Sequence, residues 1–432
     1  MKHRKYLVMG ALMGALTLVA AACNGDDDAA PPGGGGCPEG DTCVELAAGE
    51  PIKIGTLMVI TGSDASLGLD SQHGVELAVD HLDDAFDGTP GELAGHPVEL
   101  VNEDDGCSAE GGTAGATSLA SDPTLVAVIG TSCSSAGEPA AQILSDAQIA
   151  IVSPSNTAPS LTDPATHQEF YLRTAHNDKV QGAAMAQFVS EELGLTTAAT
   201  IHDGSPYADQ LQQVFADTFT SEYGGTVNTQ EGIQVGDTDF GPLLGSIAAD
   251  APEFLYFPIF VAEGGLIAAQ ARETGGLADT QLGGADGMLT PDWIDAAGAD
   301  NAEGAFLSGP DLGFAGGFYE DEFLPAYEDQ FGEPTSVFHA HAYDAAGLIF
   351  QAIGEVAVED GENLLIPRVA LKDALFGISG FEGIVGTLDC TPTDDAVGDC
   401  NAGATITVSQ VQGGDFAVVW PADKAEGEIA AG

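Results

Sequence analysis

Short apolar segments alternate with amphipathic ones from Ile52 onward, and this alternation constrains the fold more than any other feature of the sequence. Residues 52–58 form a compact apolar run, and residues 68–82 then repeat apolar side chains at helical spacing. The same order resumes at residue 198. Parallel sheets with helices on both faces are typical of such alternation. The sequence therefore predicts an α/β fold of doubly wound parallel sheets.

The alternating part of the chain is too long for one domain of ordinary size. Roughly 380 residues follow residue 51, which favours two lobes over one. In doubly wound sheets, ligands bind beyond the carboxyl ends of the strands. We therefore expect a binding site in the loops that follow strands.

The first 22 residues have the three parts of a secretion signal: a basic start, an apolar run ending at Val19 that is too short to span a bilayer, and small residues before Cys23. This resembles a bacterial lipoprotein signal and predicts diacylation of Cys23. Ala20 stands where a large aliphatic residue is usual, so ordinary secretion is the alternative. Residues 23–51 are rich in Asp, Pro and Gly and predict a flexible tether.

Six of the seven cysteines lie beyond Cys23, an even number that indicates disulfides in an oxidising compartment. Short spacings favour the local bridges Cys37–Cys43 and Cys390–Cys400, which leaves Cys107 for Cys133. No CxxC motif occurs, so a zinc or thioredoxin-like site has no support.

The chain is strongly acidic, with 67 Asp and Glu against 10 Lys and Arg and a net charge of −57. Loss of a signal peptide carrying Lys2, Arg4 and Lys5 would leave seven basic residues against 67 acidic ones, a net charge of −60. Such a charge excludes nucleic acid as a partner. A soluble acidic surface is the simplest interpretation; we favour adaptation to a saline medium, in which salt screens the self-repulsion.

Enzyme signatures are missing from the sequence, which has no P-loop, no GxGxxG after a strand, no HExxH and no GxSxG. His339 and His341 lie in a helix-like stretch, where residues two apart point in different directions. Ser134 has no plausible histidine partner for nucleophilic catalysis. We therefore expect no enzymatic activity, no cofactor and no metal site.

Two loops after predicted strands carry small hydroxyl residues, Thr131-Ser132-Cys133-Ser134-Ser135-Ala136 and Ser153-Pro154-Ser155-Asn156-Thr157-Ala158-Pro159. Both lie where a strand turns into a helix, and helix N-termini favour anions. A carboxylate could bind there without lysine or arginine. The alternative is that the hydroxyls only cap their helices.

The two loops together resemble the leucine/isoleucine/valine-binding protein family of type I periplasmic binding proteins. The similarity covers residues 52–312 and extends more loosely to residue 420. Supporting motifs occur in the family's order: Ile52-Lys53-Ile54-Gly55, Asn102-Glu103-Asp104-Asp105-Gly106-Cys107, Leu172-Arg173-Thr174 with Gln181-Gly182, and His202-Asp203 with Tyr207.

The resemblance implies two doubly wound lobes joined by three crossing strands. The N-lobe would comprise residues 52–173 and 312–385, and the C-lobe residues 174–311 and 386–428. It also implies a receptor that closes on an apolar L-amino acid outside the cytoplasm and docks on the permease subunits of an ABC importer. Two alternatives keep the fold: a short amide, urea or aromatic acid as the ligand, or a signalling partner instead of a transporter.

The resemblance further implies roles for individual residues. Ser134 and Thr157 would hold the ligand carboxylate, with backbone atoms of Ser155 and Asn156 nearby. Tyr207 and Asp286 would hold the ammonium group, although glutamate is common at the position of Asp286. The side-chain pocket would contain Leu67, Phe260 and Phe338, and the family's N-lobe disulfide matches Cys107–Cys133.

Asp178 and Gln181 are given no role in ligand binding. Their spacing is that of a capping box, in which the aspartate is the N-cap of a helix and the glutamine closes the box. We assign them a structural role only.

The charge leads to a test of salt dependence. We expect the apparent melting temperature of the secreted chain to rise strongly between low salt and about 1 M, where the Debye length falls to roughly 3 Å. Thermal unfolding over a salt series measures this. A flat response would contradict the saline interpretation.

Overall fold

The computed structural model of the chain describes residues 36–314, 317–425 and 429–430. The predicted signal peptide and Cys23 lie outside the described residues. The strands are β1 (Cys43–Leu46), β2 (Ile52–Met58), β3 (Glu92–Leu93), β4 (His96–Asp104), β5 (Leu125–Gly130), β6 (Ala150–Ser153), β7 (Tyr171–Arg173), β8 (Thr197–His202), β9 (Thr226–Gly232), β10 (Phe254–Tyr256), β11 (Gln281–Gly284), β12 (Phe306–Pro310), β13 (Val358–Asp360), β14 (Asn363–Pro367), β15 (Ser379–Glu382), β16 (Thr387–Asp389), β17 (Ile406–Gln412) and β18 (Asp415–Trp420).

Helices alternate with most of these strands. They are α1 (Ala65–Asp80), α2 (Ala109–Ala120), α3 (Ser134–Asp146), α4 (Asp178–Gln187), α5 (Pro206–Ser221), α6 (Gly241–Ala248), α7 (Val261–Glu273), α8 (Pro291–Ala297), α9 (Ala299–Ala302), α10 (Leu324–Phe331), α11 (His339–Val356) and α12 (Arg368–Gly377). Short 3-10 turns occur at His81–Asp83, Pro159–Leu161 and Asp286–Met288, and π-helical turns at Phe188–Glu192 and Tyr319–Phe323. No helix within the described ranges is both long and apolar enough to cross a membrane.

The first lobe is built on a six-stranded sheet in the order β3-β4-β2-β5-β6-β7. Its strands are parallel except for the short edge strand β3. Every residue of the central strand β5 is buried, which explains its continuous apolar sequence, because helices cover both faces of a parallel sheet.

The second lobe is built on a seven-stranded sheet in the order β18-β17-β12-β11-β10-β8-β9. Five strands are parallel, and β17 and β18 extend the sheet in antiparallel fashion. The described chain passes between the two sheets three times: after β7, after β12 and before β17. The predicted α/β class, with two doubly wound lobes and a three-strand hinge, is confirmed.

The last crossing lies later than the sequence predicts. Leu388, Cys390 and Cys400 pack in the apolar core of the first lobe, although residues 386–428 were assigned to the second lobe. The chain joins the second sheet only at β17, which pairs with β12. The Cys390–Cys400 disulfide closes the loop that precedes this crossing, and a loop of this kind gives no periodic signal in the sequence.

The folded region also begins earlier than predicted. Strand β1 pairs antiparallel with β14, and its side chains Val44 and Leu46 are buried. The prediction of a flexible tether up to residue 51 is therefore wrong for residues 43–46. Four residues with two buried side chains are too few to show a clear strand period beside a Gly- and Pro-rich segment.

All three predicted disulfides are present: Cys37–Cys43, Cys107–Cys133 and Cys390–Cys400. The second joins the loop after β4 to the loop after β5. The same two loops are tied by Ser135, whose hydroxyl donates a hydrogen bond of 3.0 Å to the carbonyl oxygen of Cys107. This disulfide therefore fixes the loop in which Ser134 begins α3.

Removal of this disulfide should affect both stability and binding. We expect Cys107→Ser/Cys133→Ser to lower the free energy of unfolding by about 2–5 kcal/mol and to weaken ligand binding, because the loop of Ser134 loses its anchor. Denaturant unfolding and calorimetry measure the two effects. The control is Cys37→Ser/Cys43→Ser, which opens a loop outside the two large sheets. Equal ligand affinity in both double variants would contradict the role in binding.

Candidate ligand-binding site

The residues proposed for the two ends of a ligand lie beyond strands of the two sheets, where the lobes face each other. Ser134 and Thr157 follow β5 and β6 of the first lobe, while Tyr207 and Asp286 follow β8 and β11 of the second. None of the four is more than 5% exposed. The residues of the first lobe contact those of the second at Asp178, whose backbone N–H donates to the carbonyl oxygen of Thr157 at 3.0 Å.

On the first lobe, two hydroxyl groups are available to a ligand. The Ser134 hydroxyl oxygen accepts a hydrogen bond of 3.3 Å from the backbone N–H of Ala158, which leaves its own hydrogen free to donate. The Thr157 hydroxyl is buried and has no hydrogen-bond partner within the described chain. Ser134 also opens α3, in which the N–H groups of Ala136 and Gly137 donate to the carbonyl oxygen of Cys133, so the N–H groups before them are the ones left for an anion. This arrangement suits an anion.

The side chains of Ser155 and Asn156 are occupied by the protein itself. The Ser155 hydroxyl donates to the carbonyl oxygen of Ser132 at 2.9 Å, and the Asn156 amide donates to that of Thr131 at 2.9 Å. Both backbone N–H groups donate to the Ser153 hydroxyl. These bonds join the two hydroxyl-rich loops to each other and fix the position of Thr157 between them.

Arg173 supports the second loop from behind. Its guanidinium group donates to the carbonyl oxygens of Asn156 at 3.2 Å and Ala158 at 3.0 Å, the residues on either side of Thr157. It also forms a buried ion pair of 2.9 Å with Asp399, next to the last crossing between the lobes. Arg173 therefore positions the loop, and its charge is neutralised away from the ligand.

On the second lobe, Asp286 accepts two hydrogen bonds at one carboxylate oxygen. The donors are the Gln181 amide at 2.7 Å and the Tyr207 hydroxyl at 3.1 Å. Burial raises the pKa of the Asp286 carboxyl group above its usual value. The second oxygen receives no hydrogen bond from these two side chains.

Asp178 has a different role from the one predicted. The helix N-cap is Asn177, whose side chain accepts a 3.0 Å hydrogen bond from the backbone N–H of Lys179. Asp178 is the first helical residue and is completely buried; the Thr157 hydroxyl lies beside its carboxylate, although the two form no hydrogen bond of regular geometry. Gln181 contacts Asp286 instead of closing a capping box. The capping-box interpretation is therefore wrong by one residue.

His176 completes a cluster with these two acids. A ring nitrogen of His176 and carboxylate oxygens of Asp178 and Asp286 lie within 4.8 Å of one another, and all three residues are buried. Burial, followed by repulsion from Asp286, raises the pKa of Asp178 well above its usual value. No lysine or arginine of the described chain forms an ion pair with either acid. By its chemistry the cluster suits a cation, either an ammonium group or a metal ion.

The three predicted pocket residues lie beside this cluster or in the same apolar core. The Phe260 ring is 5.2 Å from that of Tyr207, and the Phe338 ring is 6.2 Å from that of His176. Leu67 and Phe338 belong to one buried apolar cluster together with side chains of the second lobe. The surroundings of the charged groups are therefore apolar and aromatic, as in most small-molecule sites.

The two lobes contact each other directly at two places. The Asp64 carboxylate accepts a 3.3 Å hydrogen bond from the backbone N–H of Val261 at the start of α7. Ser160 and Gln210 exchange two hydrogen bonds of 2.9 Å. A cleft of about 800 Å³ is lined by residues of both lobes; of the predicted site residues it includes Phe260, while Ser134, Thr157, Tyr207 and Asp286 lie outside its lining.

Two lobes with a polar site between them and a three-strand hinge define a class of solute receptor. The model of the family described as "Periplasmic binding protein" matches residues 51–415, and the chain belongs to this family. Its members are non-enzymatic ligand carriers that act outside the cytoplasm.

Individual relatives are consistent with this assignment. The "Leucine-, isoleucine-, valine-, threonine-, and alanine-binding protein" of Pseudomonas aeruginosa is 27% identical over 317 residues, which are 73% of this chain and 82% of the relative. The "Leu/Ile/Val-binding protein" of Escherichia coli K12 is 29% identical over 265 residues, covering 61% of this chain and 69% of the relative.

Solved structures show the same architecture. The branched-chain amino acid transporter substrate-binding protein LivJ of Streptococcus pneumoniae, in complex with isoleucine, has a TM-score of 0.72 and 26% identity over 86% of this chain and 100% of its own. A solute-binding protein of Rhodopseudomonas palustris in complex with benzoate has a TM-score of 0.69 at 20% identity, over 85% and 95% of the two chains. The latter similarity shows the fold alone.

Asp178 is expected to affect protein stability and ligand binding in opposite directions. We expect Asp178→Asn to raise the melting temperature of the protein measured without ligand, because it removes a buried acid that no cation neutralises. The same change should weaken binding of a cationic ligand. Thermal unfolding and calorimetry test the two effects. A matched control is Asp209→Asn on α5, which removes the same charge from a side chain that is 57% exposed. A lower melting temperature in Asp178→Asn would contradict this account.

Proposed function

We propose that this chain is the substrate-binding receptor of an ABC importer and that its ligand is an apolar L-amino acid. The observation that carries the proposal is that two kinds of buried group come together between the lobes, acids on the second lobe and hydroxyls on the first. Buried acids, Asp178 and Asp286, face the ammonium end, while the neutral hydroxyls of Ser134 and Thr157 serve the carboxylate end. Leu67, Phe260 and Phe338 surround the ligand side chain.

The proposed ammonium end favours an amine over an uncharged solute. A buried carboxylate without a partner is costly, whereas an ammonium group offers both opposite charge and hydrogen-bond donors. A urea, amide or aromatic acid offers no positive charge to these acids. The relatives named for binding leucine, isoleucine and valine support the same choice.

Ligand binding would stabilise the contact between the lobes. An amino acid held at one end by the first lobe and at the other by the second gains its full set of contacts only when the lobes close, which shifts the equilibrium toward the closed form. The permease would then recognise this form. We propose that lipidated Cys23 and the segment following it hold the receptor at the membrane surface.

The proposal is tested with L-leucine and two analogues that each lack one charged end. At 100 times its dissociation constant, L-leucine should stabilise the protein by about 2.7 kcal/mol. The decarboxylated amine 3-methylbutylamine and the deaminated acid 4-methylpentanoate should do so far less. Thermal-shift measurements over the twenty amino acids and these analogues decide the matter. Stabilisation by 4-methylpentanoate equal to that by leucine would contradict the proposed ammonium site.

Single substitutions test the assignment of the two ends. Asp286→Asn should weaken leucine binding by about 2–5 kcal/mol, because the buried ammonium group loses its charged partner. Ser134→Ala should weaken it by about 1–3 kcal/mol, because one carboxylate oxygen loses a donor. Titration calorimetry measures both, with Asp209→Asn as the control. Unchanged affinity in Asp286→Asn would make an uncharged solute the better assignment.

The affinity for leucine should depend on pH. Burial raises the pKa of Asp178 and Asp286, so low pH favours their neutral forms, which attract an ammonium group less. We therefore expect the affinity to increase as the pH rises from about 4, near the usual pKa of aspartate, to 7. Calorimetry at each pH checks this, and Asp178→Asn/Asp286→Asn should abolish the dependence. An affinity that falls over this range would contradict the proposal.

A further inference from the structure

The orientation of the Gln181 amide determines how His176 is protonated. The amide nitrogen of Gln181 donates to Asp286 Oδ1 at 2.7 Å and to the carbonyl oxygen of Ser308 at 3.0 Å. Its oxygen therefore faces Nε2 of His176, 2.5 Å away. Because an amide oxygen only accepts, Nε2 of His176 carries the hydrogen and donates it.

The other ring nitrogen of His176 is then a hydrogen-bond acceptor. Burial lowers the pKa of the imidazole, which is neutral at pH 7, so Nδ1 keeps a lone pair. His176 is completely buried, and Nδ1 has no hydrogen-bond partner in the described chain. A buried acceptor in this condition is unfavourable unless a ligand supplies the donor.

His176, Asp178 and Asp286 thus contribute three acceptors to one small region. One ring nitrogen of His176 and one carboxylate oxygen of each acid lie within 4.8 Å of one another. Three acceptors placed about 2.8 Å from one nitrogen along tetrahedral directions lie about 4.6 Å apart. The spacing therefore accommodates a primary ammonium group, which has three N–H donors.

The geometry points to His176 as a specificity-determining residue, which together with Asp178 and Asp286 selects ligands with a primary ammonium group over those with a secondary, tertiary or quaternary one. The inference rests on the proposed function and adds to it the kind of amine. Each methyl group on the ligand nitrogen replaces one N–H donor and leaves one buried acceptor without a partner. Imino acids and betaines are therefore excluded.

The experiment compares L-leucine with N-methyl-L-leucine and N,N,N-trimethyl-L-leucine by titration calorimetry. In the wild-type protein, the first methyl group should weaken binding roughly tenfold or more, the loss expected for one hydrogen bond to a charged group. The trimethylated ligand should bind more weakly still. If leucine binds and N-methyl-leucine binds as tightly, the inference is wrong and the proposed function stands. If no amino acid binds, both fail.

Two variants of similar size, His176→Gln and His176→Asn, separate the hydrogen bond accepted by Nδ1 from a steric clash with the methyl group of the ligand. His176→Gln keeps a donor at the position of Nε2 but no acceptor at that of Nδ1, whereas His176→Asn can keep an acceptor there. We expect His176→Gln to bind leucine more weakly and to discriminate less against N-methyl-leucine, and His176→Asn to retain the discrimination. Equal discrimination in wild type and His176→Gln would overturn the inference.

A metal ion is the rival occupant of the three groups, since histidine and carboxylates are also ligands of zinc. Calorimetry with Zn²⁺ alone tests it. The inference predicts no specific Zn²⁺ binding and no competition between Zn²⁺ and leucine. Zn²⁺ binding that is lost in His176→Gln and that excludes leucine would assign the cluster to a metal and overturn the inference.

Discussion

Two buried carboxylates form no ion pair with a lysine or arginine of the described chain. Asp178 and Asp286 lie together between the lobes of a chain that has few basic residues, and Arg173, the buried cation closest to the hydroxyl loops, is paired with Asp399. Ionised acids in such a place are unfavourable by several kcal/mol unless a positive charge joins them. A ligand that brings an ammonium group removes this penalty, and it does so only where both lobes surround it.

The first crossing between the lobes links this site to the hinge. Within five residues, Thr174 donates to the carbonyl oxygen of His341 at 2.8 Å and Asn177 donates to Asp399 at 3.1 Å, while His176 and Asp178 belong to the ligand cluster. Side chains that anchor the hinge thus alternate with side chains of the His176, Asp178 and Asp286 cluster. In the proposed function, a ligand bound to His176 and Asp178 would act directly on the segment about which the lobes move.

Much of the architecture could be predicted from the sequence because it depends on local patterns. The alternation of strand and helix indicates the fold class, loop lengths indicate the disulfides, and hydroxyl residues after two strands mark the loops proposed to bind an anion. Interactions between distant residues could not be predicted in this way. The ion pair of Arg173 with Asp399 joins residues 226 positions apart, and nothing near either residue signals its partner.

The misassignment of Asp178 has a similar origin. Asn, Asp and Ser are all good N-caps, so the sequence Asn177-Asp178 leaves the cap ambiguous by one residue. That single position decides whether the aspartate caps a helix or faces a ligand. The strand at 43–46 was missed because its partner, β14, is more than 300 residues away. Tertiary contacts, not local propensity, determine both outcomes.

The most direct test of the central claim is small-angle X-ray scattering with and without saturating L-leucine. The claim is that an ammonium group completes the acid cluster and thereby holds the lobes together. It predicts a smaller radius of gyration with leucine for the wild-type protein, and no change for Asp178→Asn/Asp286→Asn at the same leucine concentration. A radius of gyration that leucine leaves unchanged in the wild-type protein, or reduces equally in the double variant, would contradict it.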